Sequence, residues 1–165
     1  MNNSKKFAAL FLATSLAFGA GSMMTAPVAE AATATSSTTA SKAISIAKSY
    51  QGKVQYQYSV RNESKLIFDC SSFTQFVFKK VGIKIPWGAN AQTKSGTKIT
   101  KISNLKPGDL VHFSVSTPGK IGHVGIYIGN GKFIHNLSPK YDVVISDLST
   151  GSWNKKFIQG TRIIK

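Results

Sequence analysis

The pattern of apolar residues changes at Gly108, and this change constrains the fold more than any other feature of the chain. Before it, two stretches with helical spacing, 41–50 and 70–81, are separated by polar or glycine- and proline-containing connections. After it, turn residues separate short runs rich in β-branched and aromatic residues. Helices that precede a group of strands are typical of an α+β domain with an antiparallel sheet. The predicted strands are 109–115, 122–128, 132–137, 142–146 and 158–164.

The first 31 residues have the parts of a secretory signal peptide. Lys5 and Lys6 supply the positive start, an apolar stretch follows, and Ala29-Glu30-Ala31 predicts cleavage after Ala31. We therefore expect an exported protein, secreted or associated with the cell wall, with no stable membrane insertion after cleavage. The alternative, an uncleaved membrane anchor, is disfavoured by the glycines of the apolar stretch and by the cleavage site.

The remaining chain divides into a linker and one domain. Residues 32–40 consist of Ala, Ser and Thr, which are too small to anchor a core, so we expect a disordered linker. Residues 41–165 are long enough to bury a core without disulfides. Ser41 is placed to cap the first helix, and Phe73, Phe76 and Val77 lie on one face of the second.

The charge of the chain favours anionic partners. Lys and Arg number 21 against 6 Asp and Glu, for a net charge of +15. Such a surface attracts polyanions. An exported protein rarely meets nucleic acid, so we expect anionic cell-wall polymers as partners and no nucleic acid. The alternative is that the lysines only aid solubility. Nothing in the sequence indicates an oligomer, and we expect a monomer.

Cys70 is the only cysteine, in a chain expected to leave the reducing cytosol. It cannot pair within its own chain, so it is either a nucleophile or an inert buried thiol. Asp69 is placed to cap the helix that starts at Cys70, which puts the sulfur at the positive end of a helix dipole. We expect this position to favour the thiolate, and the helix end to offer N–H groups to an oxyanion.

Two downstream histidines favour the nucleophile. In the run 123–128, alternation places Val124 and Ile126 on the core face and His123 on the other. His135 lies in the next strand, across the turn 129–131. A three-residue turn with a bulge would place His135 opposite Gly125, on the same face as His123, whereas a two-residue turn would separate them. We predict the three-residue turn, with Gly125 leaving room for both rings.

These three residues predict nucleophilic catalysis. His123 would accept the proton of Cys70, and His135 would hold the other ring nitrogen of His123 in one tautomer. The alternative is a zinc site, but zinc sites more often contain pairs of cysteines, so we expect no metal and no cofactor. His112 has no evident partner and is expected to be structural or on the surface, and Asp109 is expected to support the turn before the first strand.

Several runs together resemble the NlpC family of secreted bacterial cell-wall cysteine peptidases. Pro86 and Gln92 also fit the resemblance, which covers about residues 40–165. It implies a papain-like α+β fold, and many members cut peptidoglycan stem peptides between D-glutamate and a diamino acid. The matching runs are 68–71 (Phe-Asp-Cys-Ser), 105–110 (Leu-Lys-Pro-Gly-Asp-Leu), 123–131 (His-Val-Gly-Ile-Tyr-Ile-Gly-Asn-Gly) and 133–135 (Phe-Ile-His).

The resemblance also assigns roles. Cys70 matches the nucleophile, His123 the base and His135 the third polar residue. Tyr56 looks like the tyrosine beside the site, with Tyr58 as the alternative. Asp69 and Ser71 look like the pair that, in some members, binds the free amine of a trimmed stem peptide.

Three departures from the family pattern lie near the expected substrate groove. Ser59-Val60 replaces a glycine pair, Ser72 replaces a glycine and Trp87 replaces an arginine. The chain is thus expected to be a peptidoglycan endopeptidase that acts on stem peptides through an acyl-enzyme. The alternatives are a cysteine amidase or acyltransferase on the same fold, and a non-catalytic wall-binding module.

Overall fold

The computed structural model describes residues 28–165, so most of the predicted signal peptide lies outside the described residues and its cleavage stays a prediction. Three α-helices and nine strands form this part of the chain, with short 3₁₀ turns at Ala91–Lys94 and Ile102–Asn104. The helices are α1 (Val28–Ser49), α2 (Cys70–Lys80) and α3 (Gly151–Lys156). The strands are β1 (Gln55–Tyr56), β2 (Arg61–Asn62), β3 (Ile67–Phe68), β4 (Thr97–Ile99), β5 (Leu110–Phe113), β6 (His123–Gly129), β7 (Lys132–Asn136), β8 (Val143–Asp147) and β9 (Phe157–Arg162).

Helix α1 starts earlier than the sequence suggested. Residues 32–40, expected to be disordered, are helical, so Ser41 lies inside the helix and does not cap it. Alanine is the best helix former, and the helix offers acceptors to the polar side chains, since the hydroxyls of Thr38 and Thr39 donate to carbonyls four residues earlier. Ala40, at the end of this segment, is buried, which gives the helix a tertiary contact. The prediction of a disordered linker is therefore wrong for this structure.

Helix α2 packs its predicted apolar face into the main core. Phe73, Phe76 and Val77 are buried there, and the Phe76 ring lies 4.9 Å from that of Phe68. The helix ends at Lys80, and Gly82 follows with φ +81°, a conformation that glycine adopts without strain.

The six-stranded sheet is antiparallel throughout, in the order β4-β9-β5-β6-β7-β8. All five predicted strands are present, and the α+β prediction is confirmed. The sequence did not predict β4 or α3, nor the small sheet β1-β3-β2 within residues 55–68. That small sheet leads the chain directly into α2.

Both faces of the large sheet are covered. Val124, Ile126 and Ile134 face the core formed with α1 and α2. On the other face, Phe113 and Phe133 form a second buried cluster. Half-buried aromatic residues close this cluster, namely Trp153 of α3 and Phe157. Alternation along β6 identified the first core, but the second depends on a helix that follows β8 in the chain.

The turn between β6 and β7 differs from the prediction, although the predicted register is present. Asn130 and Gly131 both have positive φ and form a two-residue turn that pairs Gly129 with Lys132. The register then shifts between Tyr127 and Gly129, so that Tyr127 pairs with Phe133. This bulge lies one step before the turn, not within it as predicted, and it has the same effect on the register.

Candidate active site

Cys70 is the first residue of α2, and its N-cap Asp69 makes the predicted capping interactions. The Oδ1 atom of Asp69 accepts the N–H groups of Ser71 at 2.8 Å and of Ser72 at 2.7 Å. The Ser72 hydroxyl in turn accepts the Asp69 N–H at 2.9 Å, which completes a capping box. The helix therefore begins at a fixed residue, and this fixes the position of the Cys70 side chain.

The sheet holds Cys70 beside the strand that carries His123. The Val124 N–H lies close enough to the Cys70 thiol to act on its pKa. Asn136, which follows His135 in β7, donates its side-chain N–H to the Phe68 carbonyl at 2.8 Å. The end of β3 is thus tied to the strand beside β6, and the Cys70 thiol lies against Val124, the residue that follows His123 in β6.

Burial opposes the expected thiolate. The Cys70 side chain is 7% exposed, and this burial, followed by the charge of Asp69, raises the pKa of the thiol to about 12. The backbone N–H groups of Val124, Ser71 and Cys70 act in the opposite direction but are outweighed. The helix end does favour the thiolate, as predicted, but burial, which the prediction did not include, outweighs it. A thiolate here needs a neighbouring positive charge.

His123 and His135 meet as predicted. The Nε2 atom of His123 lies 2.8 Å from the Nδ1 atom of His135. A Cβ atom on Gly125 would lie 3.0 Å from the His135 Cβ and 2.7 Å from the Phe133 ring, so only glycine leaves room for this pair. Since Nε2 is engaged, Nδ1 of His123 is the nitrogen left for Cys70.

Ser146, which no sequence pattern singled out, is the next residue in this chain of contacts. Its hydroxyl lies 2.9 Å from the Nε2 atom of His135. When His135 donates from Nε2 to Ser146, its Nδ1 atom must accept from His123. The His123 ring then carries its hydrogen on Nε2 and keeps a free lone pair on Nδ1, which is the form that can remove a proton from Cys70.

Aromatic side chains enclose the histidine pair. The Trp153 ring lies 5.4 Å from the His123 ring and 5.1 Å from the His135 ring, measured between centroids. Phe133 lies 4.5 Å from His135, and Phe113 lies 6.3 Å from His123. Trp153 belongs to α3, which the sequence pattern did not predict. A single tryptophan in the sequence does not indicate which side chains it will contact.

This enclosure lowers the basicity of both rings. Burial lowers the pKa of His123 to about 4, with Asp69 raising it and Lys156 lowering it further. Burial and then the neighbouring His123 lower the pKa of His135 to about 2. A lone imidazolium is therefore unfavourable here, as a lone thiolate is. Proton transfer from Cys70 to His123 would have to form both charges together, so that each stabilises the other.

Tyr56, rather than Tyr58, lies beside the cysteine. Burial, and then the charges of Cys70 and Asp69, raise the pKa of Tyr56, while Tyr58 is 80% exposed. The Tyr56 N–H donates to the Asp142 carboxylate at 2.7 Å, which ties β1 to the loop before β8. The structure thus places the predicted tyrosine at the site and leaves the alternative tyrosine in solvent.

Asp69 and Ser71, the predicted substrate-binding pair, are already engaged within the protein. The Ser71 hydroxyl donates to Asp69 Oδ1 at 2.8 Å and accepts the Gly88 N–H at 3.2 Å. The other oxygen, Oδ2, accepts the indole N–H of Trp87 at 2.8 Å. The departure at Trp87 therefore contacts the site directly.

Gln92 explains how the loop after Pro86 is held on α2. It is fully buried, donates to the Ser71 and Pro86 carbonyls at 2.8 and 2.9 Å, and accepts the Thr74 hydroxyl at 2.8 Å. It thereby positions the loop that carries Trp87.

His112 and Asp109 lie outside the site. His112 is buried in β5, and its Nε2 atom lies 3.0 Å from the Thr161 hydroxyl. Asp109 accepts the Lys106 N–H at 2.7 Å and pairs with Arg162, also at 2.7 Å. Asp109 supports the turn as predicted, and the ion pair with β9 was not foreseen.

The geometry does not favour the zinc alternative. His123 and His135 direct ring nitrogens at each other, so these two nitrogens do not converge on a shared ion. Among residues 28–165, no cluster of His, Cys, Asp or Glu could hold a metal.

Among the helices of residues 28–165, none has the length and apolar character needed to cross a bilayer.

A cysteine at the start of a helix and a histidine pair on an antiparallel sheet are features of the papain-like cysteine peptidases. The chain has the fold of this class of protein. Residues 52–162 match the model of the NlpC/P60 family, and the chain belongs to this family. The resemblance noted in the sequence is thereby confirmed.

Three similar proteins illustrate the match. The chain is 35% identical to the murein DD-endopeptidase MepS/murein LD-carboxypeptidase of Escherichia coli, over 66% of this chain and 56% of that protein. It is also 35% identical to the gamma-DL-glutamyl hydrolase of Bacillus subtilis, over 98% of this chain and 37% of that protein. An NlpC/P60 family structure from Bacillus cereus superposes with a TM-score of 0.68 at 28% identity, covering 76% of this chain and 40% of that one. The chain thus spans little more than half of the first relative and less of the others.

Proposed function

We propose that this chain is an exported peptidoglycan endopeptidase that cleaves stem peptides at the bond between D-glutamate and a diamino acid. One arrangement carries the catalytic part of the proposal: His123 and His135 share a hydrogen bond, and the N–H of Val124, next to His123 in β6, acts on the Cys70 thiol at the start of α2. An inert buried cysteine would not need a histidine pair on the neighbouring strands.

The reaction would begin with transfer of the Cys70 proton to Nδ1 of His123. The sulfur attacks the carbonyl carbon of the scissile bond, and N–H groups at the start of α2 stabilise the oxyanion. His123 then gives its proton to the departing amine, leaving a thioester on Cys70. A water molecule, deprotonated by His123, attacks the thioester, and the sulfur leaves and recovers its proton. His135 holds His123 in the competent tautomer throughout.

Two similarities support the substrate and the bond separately. The Escherichia coli relative is named a murein DD-endopeptidase and murein LD-carboxypeptidase, and murein is peptidoglycan, so it supports the polymer but not this particular bond. The Bacillus subtilis relative is named for hydrolysis of γ-DL-glutamyl bonds, which supports a glutamyl bond. A D-glutamyl bond within a stem peptide combines the two. The signal-peptide pattern over 1–31 supports export to the cell wall or beyond. The net charge of +15 supports attraction to anionic wall polymers. We expect the domain to act as a monomer.

A digest of purified peptidoglycan tests this function. The wild-type protein is expected to release new muropeptide fragments, identified by mass spectrometry, whose ends show a cut between D-glutamate and the diamino acid. The Cys70→Ala variant is expected to release none. A cut between sugar and peptide would instead show the amidase alternative. If wild type and Cys70→Ala both leave the polymer intact, hydrolysis is excluded and a wall-binding module remains.

A second candidate function is hydrolysis of a soluble γ-glutamyl polymer. It is favoured by the match to the gamma-DL-glutamyl hydrolase, which extends over 98% of this chain, and by the net positive charge. A polymer of glutamate carries one carboxylate per residue and would be attracted to this surface. Incubation with poly-γ-glutamate, followed by measurement of its chain length, distinguishes this candidate from the first.

A further inference from the structure

The three departures from the family pattern form one connected structure beside Asp69. The Ser72 hydroxyl donates to the Val60 carbonyl at 2.7 Å, and the same carbonyl accepts the Asp69 N–H at 3.0 Å. Ser59 has φ +56°, a left-handed conformation that residues other than glycine adopt rarely. These contacts fix the segment that continues into Arg61.

Arg61 is held against Trp87. Its guanidinium carbon lies 5.3 Å from the centre of the Trp87 ring, and its Nη1 atom donates to the side-chain oxygen of Gln75 in α2 at 3.2 Å. A cation over the face of an indole is attracted to the ring. Trp87 is therefore held from two sides, by Asp69 at its N–H and by Arg61 at its face.

Asp69 is the one carboxylate, among residues 28–165, whose charge acts on the pKa of Cys70, Tyr56 or His123. A substrate ammonium group beside the nucleophile would depend on it. However, its Oδ1 atom already accepts three donors, from Ser71 and Ser72, and its Oδ2 atom accepts Trp87. An ammonium would have to displace the indole and would meet the positive charge of Arg61.

We propose that Trp87 closes the amine-binding corner at Asp69, so that the cleft takes stem peptides whose α-amine is already acylated and rejects trimmed peptides with a free amine. Stem peptides still joined to their glycan strand belong to the first class. This inference rests on the proposed function and names the substrate class of the same site.

Two synthetic peptides test the inference: L-Ala-γ-D-Glu-diamino acid with a free amine, and the same peptide with an N-acetyl group. The wild-type protein is expected to cleave the acetylated peptide with the higher kcat/KM. Trp87→Ala frees Asp69 Oδ2, and we expect the ratio of the two kcat/KM values to move at least about tenfold toward the free amine. Trp87→Phe keeps a ring but lacks the N–H, and a smaller shift in the same direction is expected.

Tyr141→Ala is the matched control, because Tyr141 is an exposed aromatic residue with Lys140 placed 5.1 Å from its ring centre. It should leave the ratio unchanged. Binding of the free-amine peptide to Cys70→Ala, measured by calorimetry, should strengthen when Trp87→Phe is added, which gives a readout independent of turnover. A wild-type preference for the free amine, or an unchanged ratio in both Trp87 variants, overturns the inference. Absence of cleavage of both peptides and of peptidoglycan overturns the proposed function, and this inference with it.

Discussion

His123 and His135 come from neighbouring antiparallel strands and share a hydrogen bond of 2.8 Å between Nε2 and Nδ1. An imidazole replaces the carboxylate that often holds a catalytic histidine. Because it is neutral, it fixes the tautomer of His123 without offering a full negative charge to an imidazolium. The pair therefore relies on the thiolate of Cys70 to balance the positive charge that forms during proton transfer.

Removal of His135 tests the pair directly. His135→Ala leaves the His123 N–H without its acceptor in a buried site, and we expect kcat/KM for peptidoglycan fragments to fall about a hundredfold or more. His135→Asn offers an amide oxygen in a similar place and should lose less. Far-UV circular dichroism confirms that both variants fold. Activity of His135→Ala within twofold of the wild type would contradict the assigned role.

Ser146 is expected to act as a positioning residue through His135. Ser146→Ala removes the hydroxyl that accepts the Nε2–H, so His135 can carry its hydrogen on Nδ1 instead, which prevents acceptance from His123. We expect kcat to fall about tenfold with little change in KM. Nitrogen NMR should show a larger share of the Nδ1–H tautomer of His135.

Ser114→Ala is a suitable comparison for Ser146→Ala, since the Ser114 hydroxyl also donates a hydrogen bond, to the Thr117 carbonyl, in an exposed loop. It should change neither kcat nor the tautomer of His135. If Ser146→Ala lowers activity while the NMR tautomer signals stay unchanged, Ser146 acts by some means other than positioning.

Local rules were sufficient to predict the start of α2 at Cys70 and the contact between His123 and His135. Asp69 before a helical stretch predicts a cap at Cys70, and alternation with a glycine at 125 places both histidines on one face. These rules do not depend on distant parts of the chain, and their outcome is present in the structure.

The rest depended on long-range packing that no local pattern records. Trp153 lies over the histidines only because a short helix after β8 folds back onto the sheet. The pKa of Cys70 was misjudged because the effect of the helix end is visible in sequence, whereas burial is not. The two-residue turn was not predicted because a bulge at Ile128 produces the same pairing of β6 with β7 that the predicted three-residue turn would have produced.

A methyl group at position 125 should separate the histidines. Gly125→Ala places a Cβ 2.9 Å from the Ile134 carbonyl and 3.0 Å from the His135 Cβ, so the strands must move apart. We expect a loss of stability of about 1–3 kcal/mol in urea unfolding and a larger relative loss of activity. Gly160→Ala, whose Cβ would lie 2.5 Å from a Leu105 methyl group, gives an overpacked comparison away from the pair. Equal activity losses in both variants would contradict a specific role for Gly125.

Acid should destabilise the protein through its buried histidines. Burial lowers the pKa of His112 and His123 to about 4 and of His135 to about 2, from 6.5. Between pH 6.5 and 4 the unfolded chain therefore binds more protons than the folded one. The contribution of the three neutral rings to the free energy of unfolding is therefore complete above pH 6.5 and is lost as the pH falls toward 4.

Urea unfolding at pH 7 and pH 5 measures this effect, with an expected loss on the order of a few kcal/mol at the lower pH. His112→Gln removes one buried histidine outside the catalytic pair, and the difference between the two pH values should shrink in this variant, whatever its stability at pH 7. Equal urea midpoints for the wild type at both pH values would show that the three rings take up protons as readily in the folded protein as in the unfolded chain.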